Sequence, residues 1–205
     1  MILREICVDN VPAAEEAARG GVERVEYCSR LDQDGLTPDL GQLRLVVQRL
    51  DVPIFAMVRP RAGDFTASSA ELDQMLQSIE AVRGAGAQGI VLGVLQSDGS
   101  IDRVQLQRLV QAADGLPVTF HRAFDSIPNP QESLETLIEC GVTRLLTSGD
   151  GASAWEGREL LRELVVQAGS RLVMMPGGGV RSEHVRELLD FTGAQEIHSS
   201  RLLDL

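Results

Sequence analysis

Lysine is absent from this sequence, and all 19 of its basic side chains are arginine. A lysine Schiff base is thereby excluded, and with it pyridoxal phosphate chemistry and Schiff-base aldol cleavage. Aromatic residues are nearly as scarce, with one Trp, one Tyr and five Phe among 205 residues, and the formal net charge is -11. An acidic surface with few stacking platforms argues against nucleic acid and against anionic membranes as partners. The N-terminus enters an apolar strand at once, and no apolar run reaches membrane-spanning length. Neither a signal peptide nor a span is expected, which points to the cytoplasm. No nicotinamide cofactor is expected either. Cysteine is limited to Cys7, Cys28 and Cys140, an odd count that favours thiols or a metal site over a disulfide framework.

What the sequence does have is a period. Short apolar runs recur at 3–8, 24–29, 53–60, 89–95, 117–123, 144–148, 171–175 and 196–199, with starts about 20 to 36 residues apart. Between them, apolar residues fall at three and four spacing, as in Leu72, Met75, Leu76, Ile79 and Val82, which is the periodicity of a helix. Helix starts are signalled by Pro12, by Ser69 with Glu71, and by Pro130; glycines at 20, 84, 115, 141 and 169 mark helix ends. Eight strands alternating with helices, apolar on both faces, predict a single-domain α/β protein over residues 1–205, a parallel eight-stranded (β/α)8 TIM barrel. An open doubly wound sheet is the alternative. Five residues follow Ser200, so the final helix is expected to be absent or truncated, with a partner subunit the economical cover for that flank.

Several strands carry residues that are costly to bury unpaired: Glu5 and Cys7, Glu26 and Cys28, Arg59, His121, Glu196 and His198. Residues two apart on a strand share a face, so Glu5 goes with Cys7, Glu26 with Cys28, Thr119 with His121, and Glu196 with His198. If those faces point inward, acids of the first, second and eighth strands meet Arg59 and His121 in a mutually neutralising network at the barrel mouth. The repeated Glu-x-Cys pattern also predicts two thiols at similar height on neighbouring strands, a soft donor pair suited to Cu(I). Both cysteines can equally be small packing residues, and His121 and His198 can be either acid–base groups or satisfied core histidines. Gly177, Gly178 and Gly179 open a helix with bare backbone amides, and with Arg59, Arg61 and Ser148 they are candidates for gripping a small anion; a plain tight turn is the alternative.

These residues sit in longer strings: Glu5-Ile6-Cys7-Val8-Asp9, Glu26-Tyr27-Cys28-Ser29, Gly35-Leu36-Thr37-Pro38, Met57-Val58-Arg59-Pro60-Arg61, Gly63-Asp64-Phe65, Thr119-Phe120-His121-Arg122-Ala123-Phe124-Asp125, Leu146-Thr147-Ser148-Gly149 and Met175-Pro176-Gly177-Gly178-Gly179-Val180. In order and spacing the series resembles the CutC family of copper homeostasis proteins, from residue 1 to about 200. The resemblance implies a cytoplasmic TIM barrel, dimeric or tetrameric, that binds Cu(I) through residues matching Cys7 and Cys28. It assigns no reaction. One departure is Asp32-Gln33-Asp34-Gly35, where the family usually has a Gly-Gly pair before Leu-Thr-Pro.

Two functions follow as expectations. One is a copper-binding protein using Cys7 and Cys28. The other is an enzyme on a small phosphorylated or carboxylated metabolite, a proton-transfer isomerase or hydrolase, with Glu5, Glu26, Glu196, His121 and His198 as acid–base or orienting groups and Arg59 at the anion.

Overall fold

The computed structural model describes residues 2–203. Eight strands run β1 Leu3–Val8, β2 Arg24–Tyr27, β3 Ile54–Met57, β4 Gly89–Leu92, β5 Val118–Phe120, β6 Arg144–Thr147, β7 Val173–Pro176 and β8 Glu196–Ser199. Seven α-helices alternate with them among the described residues: α1 Val11–Arg19, α2 Leu40–Arg49, α3 Ser69–Gly84, α4 Arg103–Ala112, α5 Pro130–Glu139, α6 Arg158–Ala168 and α7 Ser182–Thr192. All strand pairs are parallel, in the order β7-β6-β5-β4-β3-β2-β1-β8. Because β1 pairs with both β2 and β8, and β7 lies beside β8, the sheet curls into a nearly closed barrel rather than the open alternative. No helix follows β8 as far as Leu203.

Local chemistry explains the helix starts. Asn10 caps α1 by accepting from the Ala13 amide at 2.9 Å, with Pro12 in the first turn. The α3 cap is Ser68, one residue before the expected Ser69, in a reciprocal capping box with Glu71. Outside the barrel, Leu43, Ile79, Leu106, Leu134, Leu137 and Leu164 turn fully buried apolar faces onto the sheet. Burial of this layer against the sheet is an apolar contribution to holding the fold.

The barrel interior is different, because its lower layer is charged. Arg24 donates to Glu5 and to Glu196, and Arg144 makes a second pair with Glu196, its Nη2 lying 3.1 Å from Oε1. Both guanidiniums stack on Phe55, at 4.8 and 5.3 Å from the ring centre. The ring needs room, and Gly89 at the start of β4 supplies it, since a Cβ there would collide with Phe55. Burial alone would raise the Glu196 pKa, but Arg144 and Arg24 outweigh it and hold the carboxylate below its ordinary range. Two acids and two guanidiniums thus neutralise one another below the mouth.

Candidate functional site

Register places the thiols. Cys7 is paired with Glu26 across the β1–β2 ladder, not with Cys28, so Cys28 stands one inward step higher. The repeated pattern expects the thiols at similar height, and the register offsets them by two residues. Their sulfurs are nonetheless 3.7 Å apart, because Cys7 fits between Glu26 and Cys28. The Cys7 thiol donates to Glu26 Oε1 at 3.1 Å, and the Cys28 thiol also reaches the Val8 carbonyl at 3.5 Å. Phe55, Met57, Val91 and Leu31 wrap the pair in apolar surface. Gly35, with φ +83, closes over Cys28 closely enough that its own Cβ would touch the sulfur. The Cys7 pKa is driven well up by its bond to Cys28, by burial and by the Glu26 charge, so the resting group is a thiol.

Next to the thiols stands an acid–imidazole pair. His198 Nε2 lies 3.3 Å from Glu26 Oε2 and 3.8 Å from Glu5 Oε1. The alignment falls short of a hydrogen bond, leaving Glu26 Oε2, Glu5 Oε1 and His198 Nε2 all buried without a hydrogen-bonded partner. Burial would push the His198 pKa down, but the Glu26 and Glu5 charges more than reverse it and the imidazole is held above its ordinary value. Glu26 moves the opposite way: burial raises it, and His198, Cys7 and His121 together bring it below its usual range. One ligand atom from each of Cys7, Glu26 and His198 falls within 4.8 Å of the other two.

These groups open into a cavity of about 450 Å³ at the C-terminal ends of the strands, which His121, Arg59 and Arg122 also line. His121 Nδ1 accepts from the Ala123 amide at 3.2 Å, which leaves the ring proton on Nε2, an atom without a partner. Burial first, then the Arg59 charge, lowers its pKa to about 4, so the ring is neutral.

Of the expected network, His121 shares a cavity with Glu26, but Arg59 meets none of these acids among the described residues. Arg59 is spent on loop carbonyls, donating to Gln33 and Gly35 through Nη1 at 3.0 and 3.2 Å and to Gly63 at 3.0 Å, with Phe65 stacked beneath it. It staples the loops after β2 and β3, while Arg24, Arg144 and His198 are what the acids meet. Glu196 lies deep in the charged layer, and Glu5 bridges that layer to His198.

The candidate anion groups separate as well. Arg61 is committed to Glu71, Asp64 and the carbonyls of Ala62 and Thr66. Ser148 is fully buried against Asp125 and the Gly151 carbonyl. Gly177 sits against Leu146 and His198, Gly179 against Ser153, and Gly178 alone of the three lines the cavity. The residues overlooked in sequence are Arg24, Arg144 and Phe55 inside the barrel and Arg122 at its rim. Parity pointed to the first two, since Arg24 shares a face with Glu26 and Arg144 with Leu146.

The CutC family profile matches residues 2–203. The chain belongs to the CutC family. Its sequence is 45% identical to the human copper homeostasis protein cutC homolog over 198 residues, which is 97% of this chain and 72% of that protein. It is 46% identical to the family protein CutC of Agrobacterium fabrum over 200 residues, 98% of this chain and 79% of that one. The crystal structure of the CutC copper homeostasis protein from Streptococcus agalactiae superposes with a TM-score of 0.93 at 32% identity, covering 98% of this chain and all of that one. An aldolase at 13% identity and TM-score 0.71 shows only that CutC proteins share the barrel fold of such enzymes. Among the described residues no helix is long and apolar enough to cross a membrane.

Proposed function

We propose that the chain binds one Cu(I) ion through Cys7 and Cys28, in the cytoplasm and as a homodimer or homotetramer, in keeping with the copper homeostasis named for its relatives. The observation that carries this is the 3.7 Å between the two sulfurs in an apolar pocket. Thiolates are soft donors suited to Cu(I), and a low coordination number suits two of them. Two metal–thiolate bonds of about 2.3 Å laid end to end would span about 4.6 Å, so this pair fits a bent arrangement with one side open. Glu26 Oε2 and His198 Nε2, both buried without hydrogen-bonded partners, face that need. Because Cys7 rests as a thiol, loading releases a proton and affinity rises with pH. An anaerobic Cu(I) titration against a competing chelator tests the reading: Cys7→Ser and Cys28→Ser should each weaken binding at least about 100-fold, and equal affinity in all three proteins refutes it.

A second reading is favoured by the cavity, whose 450 Å³ far exceeds what an ion needs. In it the chain is an enzyme that moves a proton on a small phosphorylated or carboxylated metabolite, with Glu26 and His198 as the acid–base pair and neutral His121 as a hydrogen-bond donor. Turnover lost in Glu26→Gln and retained in Cys28→Ser would support it over copper binding.

A further inference from the structure

The charged layer, the thiol site and the loop staple leave one cavity-lining cation without an assignment. Arg122 follows β5 and projects to the mouth, where its side chain is 45% exposed. It is held there deliberately. Its Nε donates to Asp125 Oδ2 at 2.7 Å and its Nη2 approaches Ser148 Oγ at 3.4 Å, while Nη1 makes no hydrogen bond among the described residues. Asp125 is itself fixed, accepting from the Ser148 amide at 2.9 Å, from Ser148 Oγ at 3.0 Å and from Thr147. The guanidinium face lies on Gly178, where φ is +97 and a Cβ would stand 3.1 Å from Arg122 Cζ. A carboxylate behind it and a glycine beneath it set the plane of the fork, with the remaining donor edge at the rim.

A second observation concerns the opposite requirement of a ligand. His121 is 5% exposed, its Nε2 has no hydrogen-bond partner among the described residues, and it lines the same cavity. An unsatisfied buried donor is expensive, and the natural remedy is an acceptor oxygen from a bound molecule or water. The protein as a whole carries a net charge of -11, so a fixed guanidinium at the mouth of a concave site stands out as an anion guide.

We propose that the mouth binds a small organic molecule with an oxyanionic end, a carboxylate or a phosphate monoester, gripped by Arg122, and with a carbonyl or hydroxyl oxygen facing the His121 imidazole. Asp125 and Gly178 act as positioning residues for that grip. The inference deepens the second reading of the site by naming the group that holds the ligand, and it does not depend on a metal.

The test is an NMR titration of metal-free protein, following the His121 ring and Arg122 Nε resonances, with glycolate as the carboxylate probe and inorganic phosphate as the phosphate probe. The expected result is saturable shifts with at least one probe, the responsive one naming the class. In Arg122→Met the affinity should fall about tenfold or more, as loss of a charge-assisted bidentate contact requires. Arg122→Lys serves where the Met variant does not fold, and it should also weaken binding because an ammonium lacks the planar fork. Non-saturating shifts with both probes, or unchanged affinity in a folded Arg122 variant, overturn the proposal. Either result leaves copper binding by Cys7 and Cys28 to be decided on its own titration.

Discussion

Cys7 and Glu26 are direct partners across the β1–β2 ladder, and the thiol of one donates to the carboxylate of the other at 3.1 Å. That single pairing turns two copies of Glu-x-Cys into a vertical stack, with Glu5 opposite Arg24 below and Cys28 one step above. The stack puts thiols at the mouth and the first acid in the charged layer, so each half of the repeat has a different neighbour.

The charged layer is expected to be fragile to removal of one member. Arg24→Met leaves Glu5 and part of Glu196 buried without their cation, at a cost of about 3–5 kcal/mol in urea unfolding. Restoring neutrality with Glu5→Gln in the same chain should recover part of that loss. No recovery would mean that Arg24 acts through packing on Phe55 instead.

The Glu26–His198 pair makes stability depend on pH at both ends. The His198 pKa is raised above 6.5, so its contribution is complete below that value and fades as pH rises through the folded-state pKa. The Glu26 pKa is lowered below 4.5, so its contribution is present above that value and fades as pH falls through the folded-state pKa. Glu26→Gln should therefore cost most at intermediate pH, about 1–3 kcal/mol, and bring the His198 titration, followed by its ring resonances, back toward 6.5. A His198 pKa unmoved by that substitution would show that Glu5 alone holds it.

Gly93 backs the His121 ring, and a Cβ there would collide with it. Gly93→Ala should rotate the imidazole out of its place and cost about 1–3 kcal/mol from overpacking. Loss of the Ala123 amide bond to Nδ1 would be visible as a change in the His121 tautomer and in its pKa of about 4.

The departure at Asp34 has a backbone reading. Asp34 and Gly35 have φ of +62 and +83, so both positions of the usual Gly-Gly pair are left-handed, and Asp is among the few side chains that tolerate this. Asp34→Gly should leave the loop over Cys28 in place and change stability by under about 1 kcal/mol. A shift of several kcal/mol would point to a larger role for Asp34 beside Arg59.

Much of this was legible in the residues alone. Strands β1 and β8 fall where the apolar runs predict them, and the rest differ by a few residues at their ends, because runs such as 53–60 continue past the ladder into mouth loops. Side-chain parity identified the inward faces of β1, β2 and β8 correctly. It could not give register between strands, and register decides that Cys7 meets Glu26. Nor could it tell a strand-end arginine that reaches the cavity from one bound to loop carbonyls. Arg59 and Arg61 lie two residues apart and line or flank the mouth, yet the terminal nitrogens of both go to nearby loop groups, whereas Arg122 is held by Asp125 at the cavity rim. That distinction depends on loops whose path no periodicity encodes.

Sulfur ligation of the bound ion is measured most directly by X-ray absorption at the copper edge of Cu(I)-loaded protein. The spectrum should show two sulfur neighbours at about 2.3 Å and one nitrogen or oxygen neighbour, with one sulfur lost in Cys28→Ser. A shell of nitrogen and oxygen only, unchanged in Cys28→Ser, would contradict it.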